Sequence, residues 1–247
     1  MHKYQILIEY VGTHFIGWQI QSKGQSIQKL IQNKISKLLK EKINLVGSGR
    51  TDSGVHAIEQ SAHFECKKKI ENLSKFLQST NYFLNKKLIS IINIKKRNLN
   101  FHARFSAKQR IYTYVIFNRI SRSSIEKNRG WHIRKKLDLK LMKKGAKKLL
   151  GTHDFSTFRS SSCNAKSPIR TMKSIKIKKV KNKIQIQFKS QSFLQQQVRS
   201  MVGCLKYLSE KKWSLKRFEK VFKSKKRSLC ATAPAPPHGL FLEKIIY

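Results

Sequence analysis

Acidic side chains are scarce in this sequence. Asp and Glu number 12 among 247 residues, against 54 Lys and Arg, for a formal charge of +42. Only Asp52, Asp138 and Asp154 are aspartates. A two-metal nuclease needs several convergent carboxylates, and no such cluster is present. A standard glycosidase needs two carboxyls flanking one bond, and that pair is missing as well. Cysteine is equally sparse: Cys66, Cys163, Cys204 and Cys230 are scattered, with no C-x-x-C and no His pair at ligand spacing. This argues against a zinc site and a disulfide framework, and for reduced thiols in a cytoplasmic protein. No apolar run is long enough to cross a membrane. Met1 leads directly into a strand pattern, so no secretory leader is expected.

What is abundant is positive charge, and the simplest partner for it is a polyanion such as nucleic acid. Richness in Lys, Ile and Asn also follows from AT-rich coding, which adds lysine to every solvated face. The sign of the charge therefore carries more information than its size.

The stretch Gly47-Ser48-Gly49-Arg50-Thr51-Asp52-Ser53-Gly54-Val55-His56-Ala57 lies between an apolar run, Ile43 to Val46, and an alternating stretch, Ile58 to Glu65. It reads as a tight loop joining two strands, with glycines that let a ligand approach the backbone. Arg50 is a fork of donors suited to phosphate. A dinucleotide fingerprint would need glycine at Asp52, a P-loop would need G-K-[ST], and a nucleophile elbow would need glycine at Thr51. A plain turn in which Asp52 caps its own backbone fits the same residues.

Along the chain, Lys3 to Tyr10 predicts a strand with Tyr4, Ile6 and Ile8 on one face. Ser26 predicts the N-cap of a helix with a stripe of Ile27, Leu30, Ile31, Ile35, Leu38 and Leu39. A second helix is expected over Asn72 to Leu84, then a strand over Leu88 to Ile94. Arg110 to Phe117 is an aromatic and β-branched strand. Asp138 predicts the cap of a helix running to Leu150, with Gly151 as its stop. One face of that helix carries Lys140, Lys143, Lys144, Lys147 and Lys148, and it reads as solvated. Gly151 to Phe155, with Phe158-Arg159, is expected as a loop or short helix. A hairpin turns at Lys181-Asn182, a helix opens at Ser192 with Leu194, Val198, Met201, Val202 and Leu205 buried, and another spans Ser214 to Ser224. Arg199 falls at the edge of the buried stripe, about 100° round from Val198. Ala231 to Pro237 is a Pro-rich connector before a last strand from Gly239. The expected fold is α/β of the α+β type: a mixed, mainly antiparallel sheet flanked by helices, in two similar halves around a central cleft, 1–105 and 106–247.

These parts resemble one family, the tRNA pseudouridine synthase A family, over nearly the whole chain. The resemblance rests on Tyr10-x-Gly12, Phe15-x-Gly17-Trp18-Gln19, Gly49-Arg50-Thr51-Asp52-x-Gly54-Val55-His56-Ala57 and Phe101-His102-Ala103-Arg104-Phe105. It continues through Arg110-x-Tyr112-x-Tyr114, Gly151-x-His153-Asp154-Phe155, Val198-Arg199-x-Met201-Val202-Gly203 and Gly239-Leu240-x-Leu242. It departs where the family usually has His-His-Met and this chain has Gln195-Gln196-Gln197, and where Cys-Gln is replaced by Cys163-Asn164. The resemblance implies isomerisation of uridine to pseudouridine by base flipping, glycosidic cleavage and rejoining through carbon, with no cofactor and no metal. It implies Asp52 as the catalytic carboxylate, Arg199 as its ionic partner and Tyr112 against the target base. Arg50, Thr51 and Leu240 are implied to complete the base site. Phe101, His102, Ala103, Arg104 and Phe105, with Ser160, Ser161, Ser162, Cys163 and Asn164, are implied to contact tRNA. Uridines 38, 39 and 40 of the anticodon arm and a homodimer follow from the same resemblance.

Chemically, the Asp52 carboxylate could add to an electron-poor carbon or take a proton, and the sequence leaves both open. Two rival functions fit the charge: an RNA-binding protein without chemistry, and a sister synthase acting on other RNA sites.

Overall fold

The computed structural model describes residues 1–230 and 233–247. Ala231 and Thr232, the first residues of the expected connector, lie outside the described residues. The chain divides into two compact units, one of residues 1–108 with 242–247 and one of residues 109–241.

In the first unit, the alternating apolar residues of β1 (His2–Tyr10) bury Tyr4, Ile6, Ile8 and Tyr10. The helix α1 (Ile27–Leu39) starts where Ser26 accepts a hydrogen bond from the Lys29 amide. It buries Ile27, Ile31 and Ile35, each worth about 1.5–3 kcal/mol on full burial. The short strand β2 (Val46–Gly47) leads through the glycine loop to β3 (His56–Cys66). The helix α2 (Leu73–Leu84), capped by Asn72, precedes β4 (Ile89–Arg97). The strand order is β4-β1-β3, antiparallel throughout, with β2 also antiparallel on β3.

One feature of β1 departs from simple alternation. Lys3 and Gln5, on the face opposite Tyr4, Ile6 and Ile8, are buried too. The segment after β4 covers that face, and its backbone carbonyls supply partners for the buried amine.

In the second unit, β5 (Gln109–Asn118) is followed by β6 (Trp131–Ile133) and α3 (Leu139–Lys147). Asp138 caps α3 as expected, but the helix ends at Lys147 and not at Leu150. Gly151, with φ +98°, turns the chain into β7 (Gly151–Asp154), an edge strand in place of the expected loop. The hairpin β8 (Ile169–Val180) and β9 (Lys183–Ser190) turns at Lys181-Asn182, and Lys181 adopts φ +52°. The strand order is β5-β9-β8-β7, antiparallel, with β6 parallel to β5.

The helix expected from Ser192 begins later, as α4 (Gln197–Ser209), because Gln196 sits in a left-handed conformation that ends the preceding turn. A last helix, α5 (Leu215–Lys223), is capped by Ser214. The final strand, β10 (Leu240–Ile246), starts in the second unit and contributes residues 242–246 to the first. The architecture is a mixed α/β one with mainly antiparallel strands and flanking helices. Among the described residues no helix is long and apolar enough to cross a membrane.

Candidate active site

The loop between β2 and β3 is held by its neighbours through main-chain atoms and through the side chains of Thr51 and Ser53. The Gln60 side chain grips both polar groups of Gly49: Nε2 donates to its carbonyl at 2.6 Å and Oε1 accepts from its amide at 3.3 Å. The Tyr10 hydroxyl meets Thr51 Oγ1 at 2.8 Å, and the Trp18 amide donates to the Thr51 carbonyl at 3.1 Å. Ser53 Oγ donates to the Phe15 carbonyl at 3.0 Å, and the Val55 amide closes a turn on the Asp52 carbonyl at 3.2 Å. His56 Nδ1 accepts from the Gly12 amide at 3.0 Å.

Backbone lies against backbone here. A Cβ at Gly12 would fall 1.9 Å from the Val55 carbonyl oxygen, and one at Gly17 would fall 2.6 Å from that of Thr51. Gly17 also has φ +115°, which side-chain-bearing residues avoid. The Tyr10-x-Gly12 and Phe15-x-Gly17-Trp18 motifs are therefore the brace of the aspartate loop. The result is a buried Thr51 between an exposed Arg50 and a half-buried Asp52.

The sequence reading missed Tyr10, Trp18, Gln60 and His56 as supports of this loop. Nothing in spacing could have found Gln60, whose partner is 11 residues away across a turn. The paired aromatic-glycine motifs were visible, but their partner was not.

In the second unit, Tyr112 lies on β5, buried, with the ring of Phe193 edge-on at 5.2 Å. Two residues on, Tyr114 is fully buried and its hydroxyl donates to the Pro236 carbonyl at 2.8 Å. Burial pushes the Tyr114 phenol well above its ordinary pKa, and the nearby Arg199 works against that shift.

Arg199 is half-buried on α4. Its Nε donates to the Ala235 carbonyl at 2.7 Å, and the Ala235 amide donates to the Arg199 carbonyl at 3.0 Å. His238, two residues beyond Pro236, has its pKa lowered by burial first and by Arg199 second. The Arg199 charge is thus felt by Tyr114 and by His238. Leu240, which follows, is buried. Arg50, Thr51 and Asp52 share one loop of the first unit, with Phe101 to Phe105 elsewhere in it. Tyr112, Arg199, Leu240 and Ser160 to Asn164 belong to the second unit. Among the described residues no three His, Cys, Asp or Glu side chains are grouped so as to hold a metal ion.

Residues 6–106 and 146–247 match a family model described as tRNA pseudouridine synthase. The chain belongs to the tRNA pseudouridine synthase family. It is 73% identical over 247 residues, the full length of both chains, to the protein named tRNA pseudouridine synthase A of Pelagibacter ubique (strain HTCC1062). It is 36% identical, again over the full length of both, to the protein of that name from Parvibaculum lavamentivorans. As a member of the family the synthase is an isomerase of uridine in tRNA.

In the Gln195-Gln196-Gln197 run of the synthase, each of the three residues has a structural task. The Gln195 carbonyl accepts from the Ser160 amide at 3.0 Å, so it docks the Ser160 loop. Gln196 supplies the left-handed turn before α4. Gln197 is fully buried, and its Oε1 accepts from the Leu194 amide at 2.8 Å. Inside the docked loop, burial tends to raise the Cys163 thiol. The amides of Ala165 and Gln195 and the Arg159 guanidinium outweigh it and bring the pKa below its ordinary value. Arg159 also donates to the Cys163 carbonyl.

Proposed function

We propose that this synthase acts on uridines 38, 39 and 40 of the tRNA anticodon arm, with Asp52 as its catalytic carboxylate. The observation that carries the assignment is the braced loop. Its main chain is fixed at Gly49, Thr51 and Val55, while Arg50 is exposed and Asp52 only partly covered. A catalytic group must be held in place yet remain reachable. A paired base reaches such a group only by leaving its stack, at a cost of a few kcal/mol, and Arg50 beside the carboxylate suits a flipped nucleotide. Tyr112 and Leu240 are assigned to the base, Arg199 to the charge balance of the carboxylate, and a homodimer in the cytoplasm is the working state.

The experiment uses tRNA transcripts in which single uridines are retained at 38, 39 or 40, read by carbodiimide-stable adducts. Adducts confined to these positions are expected. Adducts elsewhere would favour a synthase for other sites, and none at all would favour an RNA-binding protein without chemistry.

The RNA path is addressed by salt dependence. Lys140, Lys143, Lys144 and Lys147 on α3 and Lys148 at its C-terminal cap are all exposed, and Lys148 pairs with Glu219 at 3.0 Å. We assign that face to solvent and Arg104 to RNA phosphate. Each phosphate neutralised contributes about −0.9 to the slope of log affinity against log salt. Arg104→Ala is expected to lower the slope by about one, and neutralising Lys143 and Lys147 together by less than about one. A larger change from the lysine pair would place the RNA on α3.

A further inference from the structure

We propose that Lys3, His63 and Tyr247 are positioning residues that hold the main chain of 99–105 so that Arg104 and Phe105 face the RNA. This rests on the reading of Phe101 to Phe105 as a tRNA contact. The class of ligand is an RNA strand that offers a phosphate to Arg104 and a base face to Phe105.

Lys3 is the starting point. The chain has lysines on almost every solvated surface, yet this one is only 6% exposed, and a buried ammonium is costly unless fully partnered. Its Nζ donates to the Phe101 carbonyl at 2.9 Å and to the Leu99 carbonyl, and it pairs with Glu65 at 3.0 Å. His63, on β3, accepts from the Ala103 amide through Nδ1 at 3.1 Å. Burial first, then His102 and Lys3, bring its pKa down to about 4 against the opposing Glu65, so the ring stays neutral and able to accept. The Tyr247 hydroxyl donates to the Ala103 carbonyl at 2.9 Å and lies 2.7 Å from Ser61 Oγ. Three side chains from separate strands or strand ends thus hold four main-chain groups of one segment.

What they hold has two sides. Phe101 and Ala103 are buried, with the Phe101 ring 5.0 Å from that of Tyr247. Arg104 is exposed, Phe105 is 75% exposed, and the guanidinium lies 5.6 Å from the Phe105 ring. Exposed aromatic rings beside a basic group form a stacking platform for single-stranded RNA. A platform fixed before binding loses less conformational freedom on association. Its supports should therefore act on tRNA affinity and leave the chemical step alone.

The test compares Tyr247→Phe, His63→Leu, His63→Asn and Arg104→Ala in the full-length synthase, by steady-state kinetics on tRNA. Tyr247→Phe keeps the ring on Phe101 and His63→Leu removes the acceptor. Both are expected to raise KM three- to tenfold with kcat within twofold. His63→Asn, whose Oδ1 replaces Nδ1 as acceptor, is expected to return KM to within twofold of wild type. In a background carrying both Arg104→Ala and Phe105→Ala, His63→Leu should add less than twofold, because both contacts it positions are already gone. If His63→Leu fails to fold, Tyr247→Phe decides. A wild-type KM for Tyr247→Phe, with KM raised by Arg104→Ala, overturns the positioning role. A wild-type KM for Arg104→Ala instead overturns the RNA reading of the segment, and the inference with it.

Discussion

Asp52→Asn is expected to reduce pseudouridine formation by at least about 10³-fold while tRNA affinity and thermal midpoint stay close to wild type. Asparagine has the same shape but neither the charge nor the basicity that proton transfer or addition to carbon requires, and a positioned proton-transfer group contributes roughly 10²–10⁴-fold. The loop should survive the change. The bonds described above use the Asp52 carbonyl and the groups of Gly49, Thr51, Ser53 and Val55, all of which the variant keeps. Asp138 caps α3 and Asp154 accepts from the Ser156 amide at 2.8 Å, so the other two aspartates already have structural work. Single-turnover tritium release from labelled tRNA, alongside filter binding, separates the outcomes. A variant that retains a tenth of the wild-type rate would remove Asp52 from the chemistry.

The second large effect is expected at Arg199. Arg199→Leu should lower kcat by about 10²-fold or more and weaken tRNA binding by less than about threefold. Leucine is as good a helix former and fills much of the same apolar space on α4. What is lost is a guanidinium charge and the bond from Nε to the Ala235 carbonyl. On the proposed pairing of Arg199 with the Asp52 carboxylate, a synthase that needs an ionised aspartate suffers in rate when this charge goes. Two controls isolate the charge. Arg199→Lys keeps it without the fork and should recover part of kcat. His238, whose pKa is held down by burial and then by Arg199, should titrate higher in the Leu variant by NMR. An unchanged kcat, or a binding defect that accounts for the whole loss, would reduce Arg199 to a tether for the 233–238 segment.

Local rules carried much of this fold. Ser26 and Asp138, the caps read from sequence, each accept a hydrogen bond from the residue three positions on, and so do Asn72 and Ser214 at the starts of two other expected helices. The hairpin at Lys181-Asn182 was legible from alternation, and the strand holding Tyr112 from its aromatic and β-branched residues. The failures are places where distant chain decides. Ser192 looks like a cap, but Gln196 takes the turn and delays α4 to Gln197. Gly151 to Asp154 is too short to announce a strand until β8 offers it an edge. Alternation in β1 does not announce that Lys3 is buried, because its partners are the Leu99 and Phe101 carbonyls, nearly a hundred residues on. At the site, the glycine loop marked Asp52 and Arg50, while the supporting Gln60 and Tyr10 were invisible because their role depends on atoms they meet only in the fold.

The discontinuity of the first unit sets an order of events during synthesis. Its first 108 residues leave the ribosome well before residues 242–247 exist, a gap of 247 − 108 = 139 residues. At about 5–20 residues per second, that interval is roughly 7–28 s. Through it, β1, β3 and β4 can pair, but Ser61 and the Ala103 carbonyl still await the Tyr247 hydroxyl. The nascent N-terminal sheet therefore spends many seconds one strand short, with an open edge beside β3 where residues 242–246 will later lie. Chaperone dependence of the newborn chain should peak in that window, and moving residues 240–247 ahead of Met1 by circular permutation would shorten it.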